Sequence, residues 1–229
     1  MNNEILINLL LVVFLITGEK ISAENLAMGK ESWETLYDQS FEEIENGELP
    51  EDFFVLEGNF QVTTKDGRKC LALAPNPVGE HGFLFGPRIN GEILEFSFSC
   101  LGGLKSRRHN VFAGALGGIR GLKFRINPSI RESMFSFQED WRNSLPLKWS
   151  SREWMRVVIV TGWDGQRKET LVSMKISQES EPEFLEEKSP IFLNEKIPSG
   201  KSALWGFSYA ELGMYWDNLK IRSKSKISQ

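Results

Sequence analysis

Apolar and polar residues alternate in short runs along most of the chain. Within Glu92 to Ser99, Leu94, Phe96 and Phe98 fall on one side and Glu95, Ser97 and Ser99 on the other. That two-residue period predicts a strand with one face turned to a core. Met155 to Val160 contains Val157-Val158-Ile159-Val160, a β-branched run suited to a central strand paired on both edges. The same reading predicts strands over Phe53 to Val62, Lys69 to Ala74, Asn110 to Ala115, Leu122 to Ile126, Ser133 to Gln138, Thr170 to Ile176, Ala203 to Tyr209 and Gly213 to Ile221. Turn signals such as Asp66-Gly67, Asn90-Gly91, Gly117-Gly118 and Asp164-Gly165 separate them. Many short strands with hairpin punctuation and little helix predict an all-β protein, a β-sandwich of the jelly-roll kind.

Three segments depart from this pattern. Ile5 to Thr17 is apolar apart from Asn8 and Thr17 and is followed by Ile21-Ser22-Ala23. The run is too short to span a bilayer as a helix but suits a cleavable secretory signal over residues 1–23, although no Lys or Arg precedes it. Export to the periplasm or the extracellular space follows, with no transmembrane anchor left after cleavage. Residues 24–48 form an acidic segment in which Trp33, Leu36, Phe41 and Ile44 are loosely spaced, which predicts a turn of helix before the first long strand. Gln178 to Lys188 is rich in glutamate and holds Pro182, so it reads as a solvated loop. The sandwich domain is then expected over 49–222, with a polar basic tail over 223–229.

Composition narrows the chemistry. With 229 residues, 41% of them hydrophobic, the chain suits one well-filled domain. A net charge of -4 argues against a surface that tracks nucleic-acid phosphates. Two histidines and two cysteines leave no material for a His/Cys zinc site or an iron–sulfur cluster. Cys70 and Cys100 both fall at predicted strand edges, and export makes pairing possible, but spacing alone leaves a disulfide and two buried thiols equally open.

Several pieces of the sequence resemble a known architecture. Leu49-Pro50-Glu51-Asp52-Phe53 with Val55, then Gly58-Asn59-Phe60-Gln61-Val62, resemble the opening of bacterial exported domains with a concanavalin A-like lectin/glucanase fold. Among these are domains labelled family 16-like or 3-keto-disaccharide hydrolases. The resemblance continues through Phe112 to Gly118, Leu122 to Arg125, Trp149 to Trp154, Trp205-Gly206-Phe207 and Trp216 to Ile221. It implies a fold and leaves the function open, since lectins, hydrolases and interaction modules share it. In many sandwiches of this design an acidic residue in the last strand helps to hold a structural Ca²⁺ with an N-terminal segment. Asp217, with Asp38 and Glu42 as partners, would fill that place here, and exposed strand carboxylates are the alternative.

Glucanases of this fold carry Glu-x-Asp-x-x-Glu on one strand, because the two-residue period sets the first Glu and the Asp side by side at the scissile bond. No Asp lies two residues after any Glu in this chain, and Glu92 and Glu95, three apart, face opposite sides of a regular strand. No Gly-x-Ser-x-Gly nucleophile elbow is present either. The leading expectation is therefore a non-catalytic module that binds carbohydrate or another cell-envelope component. A glycoside-processing enzyme with unidentified carboxylates is the alternative.

A sugar offers apolar C–H faces to flat rings and hydroxyls to a few polar groups. Most of the seven tryptophans belong in a sandwich core. Trp163, in the strand-ending turn Thr161-Gly162-Trp163-Asp164-Gly165, and the pair Trp205 and Tyr209, four apart on one strand face, are the candidate platforms. Arg107 and Arg108, after a glycine turn, are candidates for clamping acidic or hydroxyl groups, against the plainer reading of a solvated hairpin end.

Overall fold

The computed structural model describes residues 33–75, 78–90, 93–105, 107–180, 190–208 and 212–224. The proposed signal segment, residues 1–23, lies outside them, as do Tyr209 and Glu92. In chain order the strands are β1 (Glu34–Gln39), β2 (Phe54–Glu57), β3 (Phe60–Lys65), β4 (Arg68–Leu73), β5 (Gly79–Ile89), β6 (Ile93–Gly102), β7 (Leu104–Lys105), β8 (Arg108–His109) and β9 (Val111–Leu116). They continue with β10 (Leu122–Asn127), β11 (Glu132–Phe137), β12 (Trp141–Pro146), β13 (Met155–Asp164), β14 (Glu169–Gln178), β15 (Ile191–Leu193), β16 (Gly200–Ser208) and β17 (Met214–Lys224). Among the described residues no helix is long and apolar enough to cross a membrane.

Two antiparallel sheets form a jelly-roll sandwich. Sheet A runs β15-β14-β13-β6-β17-β4-β3, and β1 joins the same edge of β17 beyond β4. Sheet B runs β12-β11-β10-β9-β16-β5-β2. Alternation delivers one apolar row per strand to the space between the sheets. Leu94, Phe96 and Phe98 from β6 enter the core as expected, with Phe96 fully buried against Phe85, Phe98 and Phe124. The β-branched run of β13 pairs with both β6 and β14. Trp216 is the largest side chain in the core, edge-on to Phe83 and Phe112.

Three expectations change. The stretch Phe53 to Val62 is two strands, with β2 in sheet B and β3 in sheet A. The crossing occurs at Gly58, whose φ of 107° and close approach to His81 exclude a side chain. The acidic segment holds a strand in place of a helical turn. Its Tyr37 reaches inward to Phe85, ring centroids 5.5 Å apart, while Asp38 pairs across the strands with Lys220. That strand exists because β4 covers only Met214–Trp216 of β17 and leaves the rest of that edge open. Finally, β5 was hidden by Gly79, Gly82, Gly86 and Pro87, although His81, Phe83 and Phe85 supply its inward row.

Candidate functional site

The outward face of sheet B holds a depression of about 330 Å³, whose lining includes Glu80, Ala113, Lys123, Arg125, Ser136 and Trp205. Its geometry follows from register. Leu204 points inward and is buried, so Trp205 beside it on β16 points outward and stays half-exposed. Its cross-strand neighbours are Gly82 on β5 and Ala113 on β9, which leave the indole space to lie down on the sheet. A Cβ placed on Gly82 would collide with the indole at Cδ1, Nε1 and Cγ, so the ring is folded over that glycine.

Polar groups surround the ring. In β10, Leu122, Phe124 and Ile126 are buried, which turns Lys123 and Arg125 outward beside Ala115 and Ala113. Arg125 lies 5.8 Å from the centroid of the Phe207 ring, and neither Lys123 nor Arg125 forms an ion pair among the described residues. Glu80, opposite Phe207, is on the other flank. Phe54, 61% exposed, extends the apolar surface from β2 across Leu84. The outward positions of β10 were readable from its alternation, whereas Glu80 and Gly82 were lost with β5.

The other candidates do not gather here. Trp163 lies at the end of β13, lining a narrow crevice with Leu94, Thr170 and Ile197. Arg107 and Arg108 are exposed at the β7–β8 hairpin. Trp163 lies beyond the Ile93 end of β6 and the hairpin follows its Gly102 end, which places the two roughly 30 Å apart along the strand. The plainer reading of a solvated hairpin fits the arginines. Beside them His109 Nδ1 is 2.6 Å from Ser151 Oγ, and burial pulls its pKa below the usual imidazole value.

The proposed calcium ligands do not fit the ion. Asp217 is 3% exposed and its carboxylate accepts from Arg68 Nε at 2.7 Å and from Arg68 Nη2. Burial raises the Asp217 pKa, outweighing the opposing pull of Arg68. Asp38 pairs with Lys220 at 2.8 Å, and Glu42 is exposed. No group of three or more His, Cys, Asp or Glu residues is placed to hold a metal among the described residues.

Cys70 and Cys100 are both free and buried. Leu71 and Cys100 flank Trp216 of β17 on either side and share its inward face, so Cys70, one residue earlier, points outward. The thiols thus lie on opposite faces with a strand between them, beyond the ~7 Å Cα separation a disulfide tolerates. Burial pushes the Cys70 thiol up to about 12 and raises that of Cys100 as well.

Ion pairs cross much of the outward face of sheet A. Arg68 bridges Asp217 and Glu179 and lies 4.2 Å from the Trp154 ring, while Arg222 holds Glu95 at 2.5 Å and lies over Trp33 at 5.3 Å. Glu95 turns away from the core, as its alternation predicts, yet is only 9% exposed beneath this cover.

No family model and no curated protein matches the chain. Among solved structures it is similar to the CBM2 module of the evolved Dit of Lactobacillus casei BL23 phage J-1, with 11% identity, 88% of this chain and 100% of that one covered, and a TM-score of 0.55. The basic winged bean lectin, solved with Tn-antigen, has 9% identity and a TM-score of 0.53, with 85% of this chain and 100% of the lectin covered. The Lotus tetragonolobus seed lectin has 11% identity and a TM-score of 0.52, with 84% and 100% covered. A structure of botulinum neurotoxin type C, whose cell entry depends on two ganglioside molecules, also matches at a TM-score of 0.52, and the chain spans 48% of its length. At these identities the likeness is one of fold, a lectin-like β-sandwich.

Proposed function

We propose that this protein is a carbohydrate-binding module whose ligand lies on the outward face of sheet B, stacked on Trp205. One observation carries the reading: the indole lies flat over Gly82 in a depression whose edges offer Lys123, Arg125, Ser136 and Glu80. A flat ring flanked by hydrogen-bonding groups supplies the two kinds of contact a sugar requires. The lectin-like fold supports it, as does the Tn-antigen in the winged bean lectin structure. Glu80 is the one carboxylate lining the depression among the described residues, whereas a glycosidase mechanism draws on a pair. That favours binding over hydrolysis by a family 16-like or 3-keto-disaccharide hydrolase. Export rests on the apolar run before Ala23, and N-terminal sequencing of envelope material tests it.

A glycan array followed by calorimetry with the best ligand tests the site. Trp205→Ala is expected to abolish binding and Trp163→Ala to leave it unchanged. Equal binding by wild type and Trp205→Ala would overturn the assignment, and so would glycoside turnover that disappears with Glu80→Gln.

A further inference from the structure

Within the charged cover of sheet A lies a cavity of about 240 Å³ lined by Ser97, Ser99, Arg156, Glu179, Asn218 and Lys220 together with Phe98. We propose that it is a second ligand site, separate from Trp205, that takes a small hydroxylated carboxylate of the size of one sugar acid.

The register builds it. Ser99 on β6 stands between Arg156 on β13 and Asp217 on β17, and Ser97 stands in the next outward row between Val158 and Lys220. Two small serines therefore form a floor, with the long side chains of Arg156 and Lys220 rising from the strands on either side. The ladder between β6 and β17 is interrupted between Asp217 and Lys220, where Asn218 adopts a φ of 51°. A bulge of this kind redirects side chains and opens the sheet surface locally.

The polar groups are unevenly committed. Ser99 donates to Glu179, which also accepts from Arg68 Nη1 at 2.6 Å, and Lys220 is held by Asp38. Ser97 is only 3% exposed and lines the cavity. A serine hydroxyl there can both donate to and accept from a ligand hydroxyl. Arg156, exposed, has no carboxylate partner among the described residues. Its guanidinium fork matches a planar carboxylate. Glu179 in the wall would repel a dianion such as phosphate, yet with Ser97 and Asn218 it can pair with ligand hydroxyls.

Titration of the full chain with D-glucuronate, D-glucose and inorganic phosphate, followed by calorimetry or chemical shifts, tests this. Glucuronate is expected to bind, with glucose and phosphate at least about tenfold weaker. Arg156→Gln and Ser97→Val are each expected to weaken glucuronate about tenfold, while Trp205→Ala leaves it unchanged. An unchanged melting temperature for exposed Arg156→Gln shows that the fold is kept. Absence of glucuronate binding, phosphate binding of equal strength, or indifference to Arg156→Gln would overturn the proposal. Glucuronate binding lost in Trp205→Ala would do so too, by moving the ligand to sheet B.

Discussion

The two outward faces of this sandwich solve the same problem differently. Each sheet buries one face in the shared core and must present the other to water. Sheet A lays Arg68, Lys220 and Arg222 across its strands and spends their charges on Asp217, Glu179, Asp38 and Glu95. Sheet B keeps its centre low with Gly82 and Ala113, rests one indole there, and leaves Lys123 and Arg125 outside any ion pair among the described residues. Charges consumed within a face contribute to shape and cohesion. Charges left open beside a flat ring are free to meet an outside partner. Identical architecture thus gives a largely closed surface on one side and a receptive one on the other, and the difference lies in side-chain size and pairing.

The largest expected effect is common to both faces. Phe96→Ala empties a fully buried aromatic site between the sheets and should cost about 3–5 kcal/mol in denaturant unfolding. Glycan binding and the sheet A cover should then be lost in one transition, and a cost below about 1 kcal/mol would remove Phe96 from the core. The next effect belongs to sheet A alone. Arg68→Ala leaves Asp217 buried without its cation, and should cost about 3 kcal/mol, at the low end for a broken buried pair because Arg68 is a quarter exposed. Adding Asp217→Asn should recover part of that loss, and strict additivity of the two would mean that the pair is not coupled.

Much of this contrast was legible in the sequence and some of it was not. The alternation of Leu94, Phe96 and Phe98 and the run Val157 to Val160 gave two central strands, because strands covered by a core must repeat every second residue. Trp205 was a candidate platform in the sequence, four residues from Tyr209 on one strand face, and the structure turns it outward beside the inward Leu204. Its floor was not legible, because Gly82 belongs to β5, where glycine and proline erase the usual strand signature. The ion pairs of sheet A were invisible for another reason. Arg68 and Asp217 are far apart in the chain, and only the placement of β4 beside β17 joins them. That distance also explains the calcium expectation, because the residues around Asp217 in the chain do not reveal the arginine that holds it. The disulfide remained open because two strand positions do not reveal which face each thiol occupies.

On sheet B the stability effects should be smaller and the binding effects larger. Trp205→Ala removes a half-exposed ring from outside the core and should cost about 1 kcal/mol while abolishing glycan binding. Gly82→Ala should weaken binding without removing the ring, because its methyl group forces the indole off the sheet. If Gly82→Ala binds as wild type does, the folded-down position of Trp205 is not what the ligand recognises.

The smallest expected effect is an absence of reaction, and it measures how tightly sheet A is closed. Cys70 lies on the outward face, two residues from Arg68 on the same side of β4, and is nevertheless fully buried. Burial holds its thiol at about 12, so almost none of it is thiolate at pH 8, and the thiolate is the reactive form. Cys100, buried in the core, is shielded more deeply still. Iodoacetamide should therefore label neither cysteine in the folded protein at pH 8 and both after denaturation without reductant, read by intact mass. Failure to label both after denaturation would reveal a disulfide that the strand geometry forbids. In Arg68→Ala, kept under folding conditions, Cys70 should become reactive before Cys100, since the missing arginine opens the outward face and leaves the core intact. Equal rates for the two thiols in that variant would mean that the cover does not protect Cys70, and the contrast between a closed sheet A and an open sheet B would lose its physical basis.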